Sequence, residues 1–126
     1  MQDEPTPEEL TRAVADFLRS DIAPVLSGHN AFKLRVAINA LDLVTRQLRL
    51  EEGGDAAEAA RLSQLLGQQG SLAELNRALA DRIAKGEVDL ATPGLSGHLW
   101  QTTMDKLAVD QPNYGSYKRE LEGKRE

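Results

Sequence analysis

An all-α fold, a single-domain bundle of about five helices around a central helix at residues 31–50, follows from three observations. Residues 31–50, AFKLRVAINALDLVTRQLRL, carry apolar side chains at helical spacing in two adjacent runs. Several helix-start signals recur along the chain, each followed by apolar residues at intervals of three and four. No stretch alternates apolar and polar residues with β-branched enrichment, so no sheet is expected. At 126 residues one core suffices, and 40% hydrophobic against 28% charged residues excludes both a disordered chain and a membranous one.

Residues 1–6 form a polar lead. Thr6-Pro7-Glu8-Glu9 then combines an N-cap hydroxyl, a proline at the first helical position and a glutamate at the third, which predicts a helix with Leu10, Val14, Phe17, Leu18 and Ile22 inward. Pro24 interrupts it. The central helix follows, with Leu34, Ile38, Leu41, Val44 and Leu48 in one run and Phe32, Val36, Leu43 and Leu50 in the other. Two adjacent runs imply burial on about three sides. What remains is a polar stripe of Arg35, Asn39, Asp42, Arg46 and Arg49.

Gly53-Gly54 is expected to close this helix and leave a flexible joint. Asp55 would cap a short third helix that ends at Gly67. Ser71 and Glu74 make a second capping box, opening a helix with Leu72, Leu75, Leu79 and Ile83 inward. Thr92-Pro93 predicts the start of a fifth, with Leu95, Leu99, Trp100, Met104, Leu107 and Ala108 inward, and Pro112 ends it. Both tyrosines of a chain with five aromatic residues lie in Asn113-Tyr114-Gly115-Ser116-Tyr117, read as an irregular segment clamped onto the body. The domain therefore spans residues 7–117, and residues 118–126 form a charged, frayed tail.

The charge is uneven. The net value is −5, yet residues 29–50 hold four basic groups and one acidic. An acidic protein with one basic helix is no nucleic-acid binder, though that helix can meet a phosphate or an acidic partner. The acidic start MQDEPTPEEL has no apolar signal segment, and the most apolar stretch is interrupted by charges, so a cytoplasmic protein with no membrane span is expected. With no cysteine there is neither a disulfide nor a thiolate nucleophile.

Three groups of residues are candidates for chemistry. On the central helix, Asp42 stands four residues before Arg46 and seven after Arg35, so one carboxylate can orient two guanidiniums towards an anion, with Asn39 beside them. The bland alternative is a solvated face. Around the end of the fifth helix, Lys106, Asp110 and Tyr114 offer a polar docking point, or else a local ion pair and a core-closing ring. His98 shares a stripe with Gln101 and Asp105 but has no nucleophile beside it, and is read as an exposed helix residue; His29 is read as a helix-start residue. Phosphate loops, dinucleotide fingerprints, zinc-protease and hydrolase motifs are all absent from the sequence, so neither a catalytic set nor a metal or cofactor site is assigned.

The stretches FKLRVAINALDLVTRQL, SLAELNRALADRIAKGEVDL and TTMDKLAVDQPNYGSY together resemble a family of small all-helical bacterial proteins of unknown function. Its members are encoded beside an aminoglycoside-phosphotransferase-like kinase and an acyl-CoA-dehydrogenase-like protein. The resemblance implies a non-catalytic accessory subunit of a kinase that phosphorylates a hydroxyacyl-CoA, as in growth on levulinate, with the dehydrogenase-like protein a further candidate partner. It makes Arg35, Asn39, Asp42, Lys106, Asp110 and Tyr114 contact candidates, and Arg46 joins them from the stripe. Where many members have His after the phenylalanine, this chain has Lys33, which removes any role for that imidazole. Two other readings stand beside it: a stand-alone helical module binding an acyl or CoA ligand, and a structural homodimer.

Overall fold

A computed structural model describes residues 3–124. The all-α reading holds: five α-helices run through the described residues, with no strand among them. They are α1 (Pro7–Phe17), α2 (Gly28–Leu66), α3 (Leu72–Ala84), α4 (Leu95–Asp110) and α5 (Gly115–Gly123). The chain divides into two compact units, Met1–Glu51 and Glu52–Glu126, and α2 contributes its first part to one and its remainder to the other.

In the N-terminal unit, α1 starts where the local chemistry requires. The Thr6 hydroxyl accepts from Glu9 N at 3.2 Å, and the Glu9 carboxylate accepts from Thr6 N at 2.8 Å. Two orphan amides at the helix start are thereby satisfied. Pro24 cannot donate a backbone hydrogen bond, and the helix loosens ahead of it into a π turn (Leu18–Ile22) and then a 3₁₀ turn (Ala23–Val25). The face that α1 buries is not the expected one. Ala15 is buried, whereas Leu10, Val14 and Phe17 are exposed. The polar links across the seam with α2 are a hydroxyl pair between Thr11 and Thr45 at 2.7 Å and Arg19, which binds Asp42 at 2.7 Å.

The same seam corrects the reading of residues 31–50. Burial on about three sides was expected, but Ile38 is the only residue buried there, while Phe32, Val36, Val44 and Leu48 are exposed. Leu34, Leu41, Leu43 and Leu50 are half-buried, so the cover is partial and no other large apolar residue of either run is buried.

The paired glycines do not close α2. It runs on through Gly53-Gly54 to Leu66, and Asp55 lies inside it rather than at a cap. Neither glycine has a positive φ. Each costs about 1 kcal/mol relative to alanine inside a helix, and good helix formers on both sides offset that cost. A Cβ at position 53 meets nothing within 4 Å. Gly53→Ala is therefore expected to stabilise the protein by about 0.5–1 kcal/mol in urea unfolding. A destabilising result would mean that the chain turns at this point.

The C-terminal unit holds the main core, in which Leu62 and Leu66 of α2, Leu75 and Leu79 of α3, Val88 and Leu95 are buried together. Gly67, at φ +66, ends α2, and its N–H reaches Ser63 O at 2.9 Å. The second capping box is present, with Ser71 Oγ accepting from Glu74 N at 3.2 Å and Glu74 Oε2 from Ser71 N at 3.0 Å. Thr92-Pro93 does not open α4. The Thr92 hydroxyl is used upstream, accepting from Asp89 N at 3.0 Å, and Gly94, at φ +92, turns the chain into a helix that begins at Leu95.

Residues 113–117 are not wholly irregular, because α5 starts at Gly115 and takes in most of the expected frayed tail. Tyr117 is half-buried. Tyr114, the residue before α5, is exposed, and its carbonyl accepts from Lys118 N at 3.0 Å.

Candidate functional site

The helical period places Arg35, Asn39, Asp42 and Arg46 along one side of α2 in the N-terminal unit. Arg35 and Asn39 are exposed; Asp42 and Arg46 are half-buried. The carboxylate of Asp42 goes to the π turn that follows α1: Arg19 Nη2 donates to it at 2.7 Å while Arg19 Nη1 donates to Asp16 at 3.1 Å. Asp42 thus serves the seam between the two helices. Exposed pairs of this kind are each worth under about 1 kcal/mol, and their use here is orientation.

Lys106, Asp110 and Tyr114 belong to the C-terminal unit, at the end of α4 and in the short link after it, and all three are exposed. Leu99 and Trp100 of the same helix, expected inward, are exposed as well. The buried side of α4 passes through His98.

His98 is where the sequence reading fails most clearly. Its side chain is 4% exposed, against an expected exposed histidine. Arg61 of α2 donates from Nε to His98 Nδ1 at 3.3 Å and from Nη2 to Thr102 at 3.4 Å, and the same Nη2 stands 3.7 Å from Asp105. Gln101 donates to Asp105 at 2.8 Å, and on the α3 side Asn76 donates to Glu58 at 3.2 Å. Because Nδ1 accepts a hydrogen bond, the hydrogen-bond pattern assigns the ring proton to Nε2 and a neutral imidazole. Burial lowers the His98 pKa below the usual histidine value; the neighbouring Arg61 cation lowers it further, and Glu58 opposes both.

The cluster joins α2 to α4 through an arginine that would be costly to bury unpaired. Its chemistry is that of a tie, since the lone pair of Nδ1 is occupied by Arg61. Arg61 sits among alanines and leucines and carries no local motif, so sequence spacing within a single helix does not find it. The only signal was on α4, where His98, Thr102 and Asp105 recur at steps of four and three.

Among the described residues, no group of three or more His, Cys, Asp or Glu side chains is arranged to hold a metal ion. No helix among them is long and apolar enough to cross a membrane. One uncommitted feature is apolar. Leu10, Val14 and Phe17 on α1, Val25 after it, and Phe32, Val36, Val44 and Leu48 on α2 are exposed within one small unit whose buried residues are Ala15 and Ile38.

No curated protein and no solved structure matches the chain. The model of the family described as Domain of unknown function (DUF6285) matches residues 24–114, from the proline turn through α2, α3 and α4 to Tyr114, and the protein belongs to that family.

Proposed function

We propose that this protein is a non-catalytic subunit that docks on an aminoglycoside-phosphotransferase-like kinase acting on a hydroxyacyl-CoA, in acyl-CoA breakdown in the cytoplasm. The observation that carries the docking role is the N-terminal unit, which leaves more large apolar side chains in water than it buries. Scattered apolar residues are ordinary on a surface, whereas a concentration on two adjacent helices marks an interaction face. Arg35, Asn39 and Arg46 lie beside that face and supply a polar rim, the usual composition of a protein contact. The kinase and its substrate class come from the family resemblance of the three helical stretches. In this scheme the partner supplies the ATP site and the base, which accords with a His98 engaged by Arg61.

Co-expression of this chain with the phosphotransferase-like kinase of the same host tests the reading. A complex of fixed stoichiometry in light scattering, with hydroxyacyl-CoA phosphorylation that depends on this chain, is the expected result. A kinase that is fully active alone and never co-elutes would overturn it. A stable homodimer in that same experiment would replace it with the structural alternative.

A further inference from the structure

Residues 32–43 of α2 carry an apolar stripe with a cation on each edge. Phe32 and Val36 are 55% and 53% exposed, and Leu43 is half-buried. At about 100° per residue, these three lie within about 40° of one another, on the side of α2 turned away from Ile38 and Thr45. Lys33 falls about 60° beyond Val36 on one edge, and Arg35 about 60° beyond Phe32 on the other. Both are exposed. The one carboxylate within residues 29–50, Asp42, is bound by Arg19 of the π turn after α1 at 2.7 Å. The stretch therefore keeps a net positive charge on both sides of its apolar centre.

That pattern discriminates between occupants by charge. A second copy in two-fold contact would set the same cations against themselves. An anionic bilayer would accept the cations, but Glu8, Glu9 and Asp16 of α1 and Asp21 of the turn after it belong to the same unit, and a stripe this short buries little in lipid. A partner helix with Leu or Phe along one face and Asp or Glu on both edges satisfies the apolar centre and both rims. We propose that the Phe32–Val36 stripe of α2 seats an acid-edged amphipathic helix of the partner protein. This inference rests on the subunit reading and adds to it the chemistry of the contact.

The test uses the full chain and the kinase, with a zero-length carbodiimide that couples an amine to a carboxylate in contact. Lys33 is expected to couple to an Asp or Glu in a helical segment of the kinase. Arg35→Glu should weaken binding about tenfold or more, Arg35→Lys should hold it near wild type, and reversing the coupled kinase acid to lysine should restore the Arg35→Glu complex. Arg35 and Val36 are exposed, so these variants fold, and circular dichroism checks that they do.

If Arg35→Glu and Val36→Asp bind within twofold of wild type while Val14→Asp abolishes the complex, this surface is wrong and the subunit reading stands. Failure of the wild-type pair to associate removes both. Binding to phosphatidylserine vesicles that Arg35→Glu abolishes, with kinase binding unchanged, overturns the proposal in favour of a membrane surface.

Discussion

Replacing Leu75 with alanine is expected to lower the unfolding free energy by about 3 kcal/mol, within the range for large-to-small changes at well-packed sites. Leu75 and Leu62 are both 0% exposed and belong to one cluster with Leu66, Leu79, Val88 and Leu95. Removing three carbons there loses their transfer energy and leaves a void that two helices cannot close without shifting caps at Gly67 and Ser71. A total stability of about 5–15 kcal/mol makes such a loss a large fraction of the whole. Urea unfolding followed by circular dichroism measures it, and the melting temperature should fall by roughly 15 °C in a unit of this size. Phe32→Ala, in the N-terminal unit, removes a larger side chain and should cost far less, because that ring is already half in water. Similar costs for the two substitutions would contradict the placement of the core.

Arg61→Met should produce the second-largest effect and one with a distinct pH signature. The arginine donates to His98 and Thr102 and stands near Asp105, so its loss leaves the buried imidazole without its donor and should cost about 1–2 kcal/mol at pH 7.5. In the wild type, His98 has a lowered folded-state pKa, set first by burial and then by the Arg61 cation. An unfolded histidine takes a proton near pH 6.5, while the folded one resists it. Stability contributed by this site is therefore full above about pH 6.5 and is lost as the pH falls towards the folded pKa, with a slope of at most about 1.4 kcal/mol per pH unit. Arg61→Met removes one of the two causes, so the folded pKa rises and the slope becomes shallower. His98→Gln should abolish this component of the slope. Unfolding at pH 7.5, 6 and 5, with the histidine signals titrated by NMR, checks both; an unchanged slope in Arg61→Met would show that the cation does not act on His98.

What could be read from the sequence was local. The two capping boxes depend on residues three apart, and both are present with the predicted donors and acceptors. Helix content follows from periodicity, and so does the placing of Arg35, Asn39, Asp42 and Arg46 on one side of α2. Periodicity does not say which stripe will meet another helix. On α1 the larger apolar residues Leu10, Val14 and Phe17 are exposed while the small Ala15 is buried. On α2 the two wide runs were evidence of apolar surface rather than of burial within this chain. Gly53-Gly54 misled because two glycines weaken a helix by a finite amount that their neighbours can outweigh. His98 and Arg61 lie on different helices, 37 positions apart, and only the tertiary fold unites them.

The contact between Thr11 and Thr45 has a consequence in protons. Each hydroxyl owns one hydrogen, and each also lies within reach of a carbonyl of its own helix: Glu8 O at 3.1 Å from Thr11 and Leu41 O at 3.0 Å from Thr45. The 2.7 Å link between them needs one of those two hydrogens, so whichever threonine donates across the seam releases its own carbonyl. The hydroxyl pair therefore has two states of two hydrogen bonds each, which interchange when both hydroxyl hydrogens turn together about their Cβ–Oγ1 bonds. One state keeps the bond to Leu41 O and the other the bond to Glu8 O, so the number of bonds is the same in both and the helix contact gains orientation whichever threonine donates.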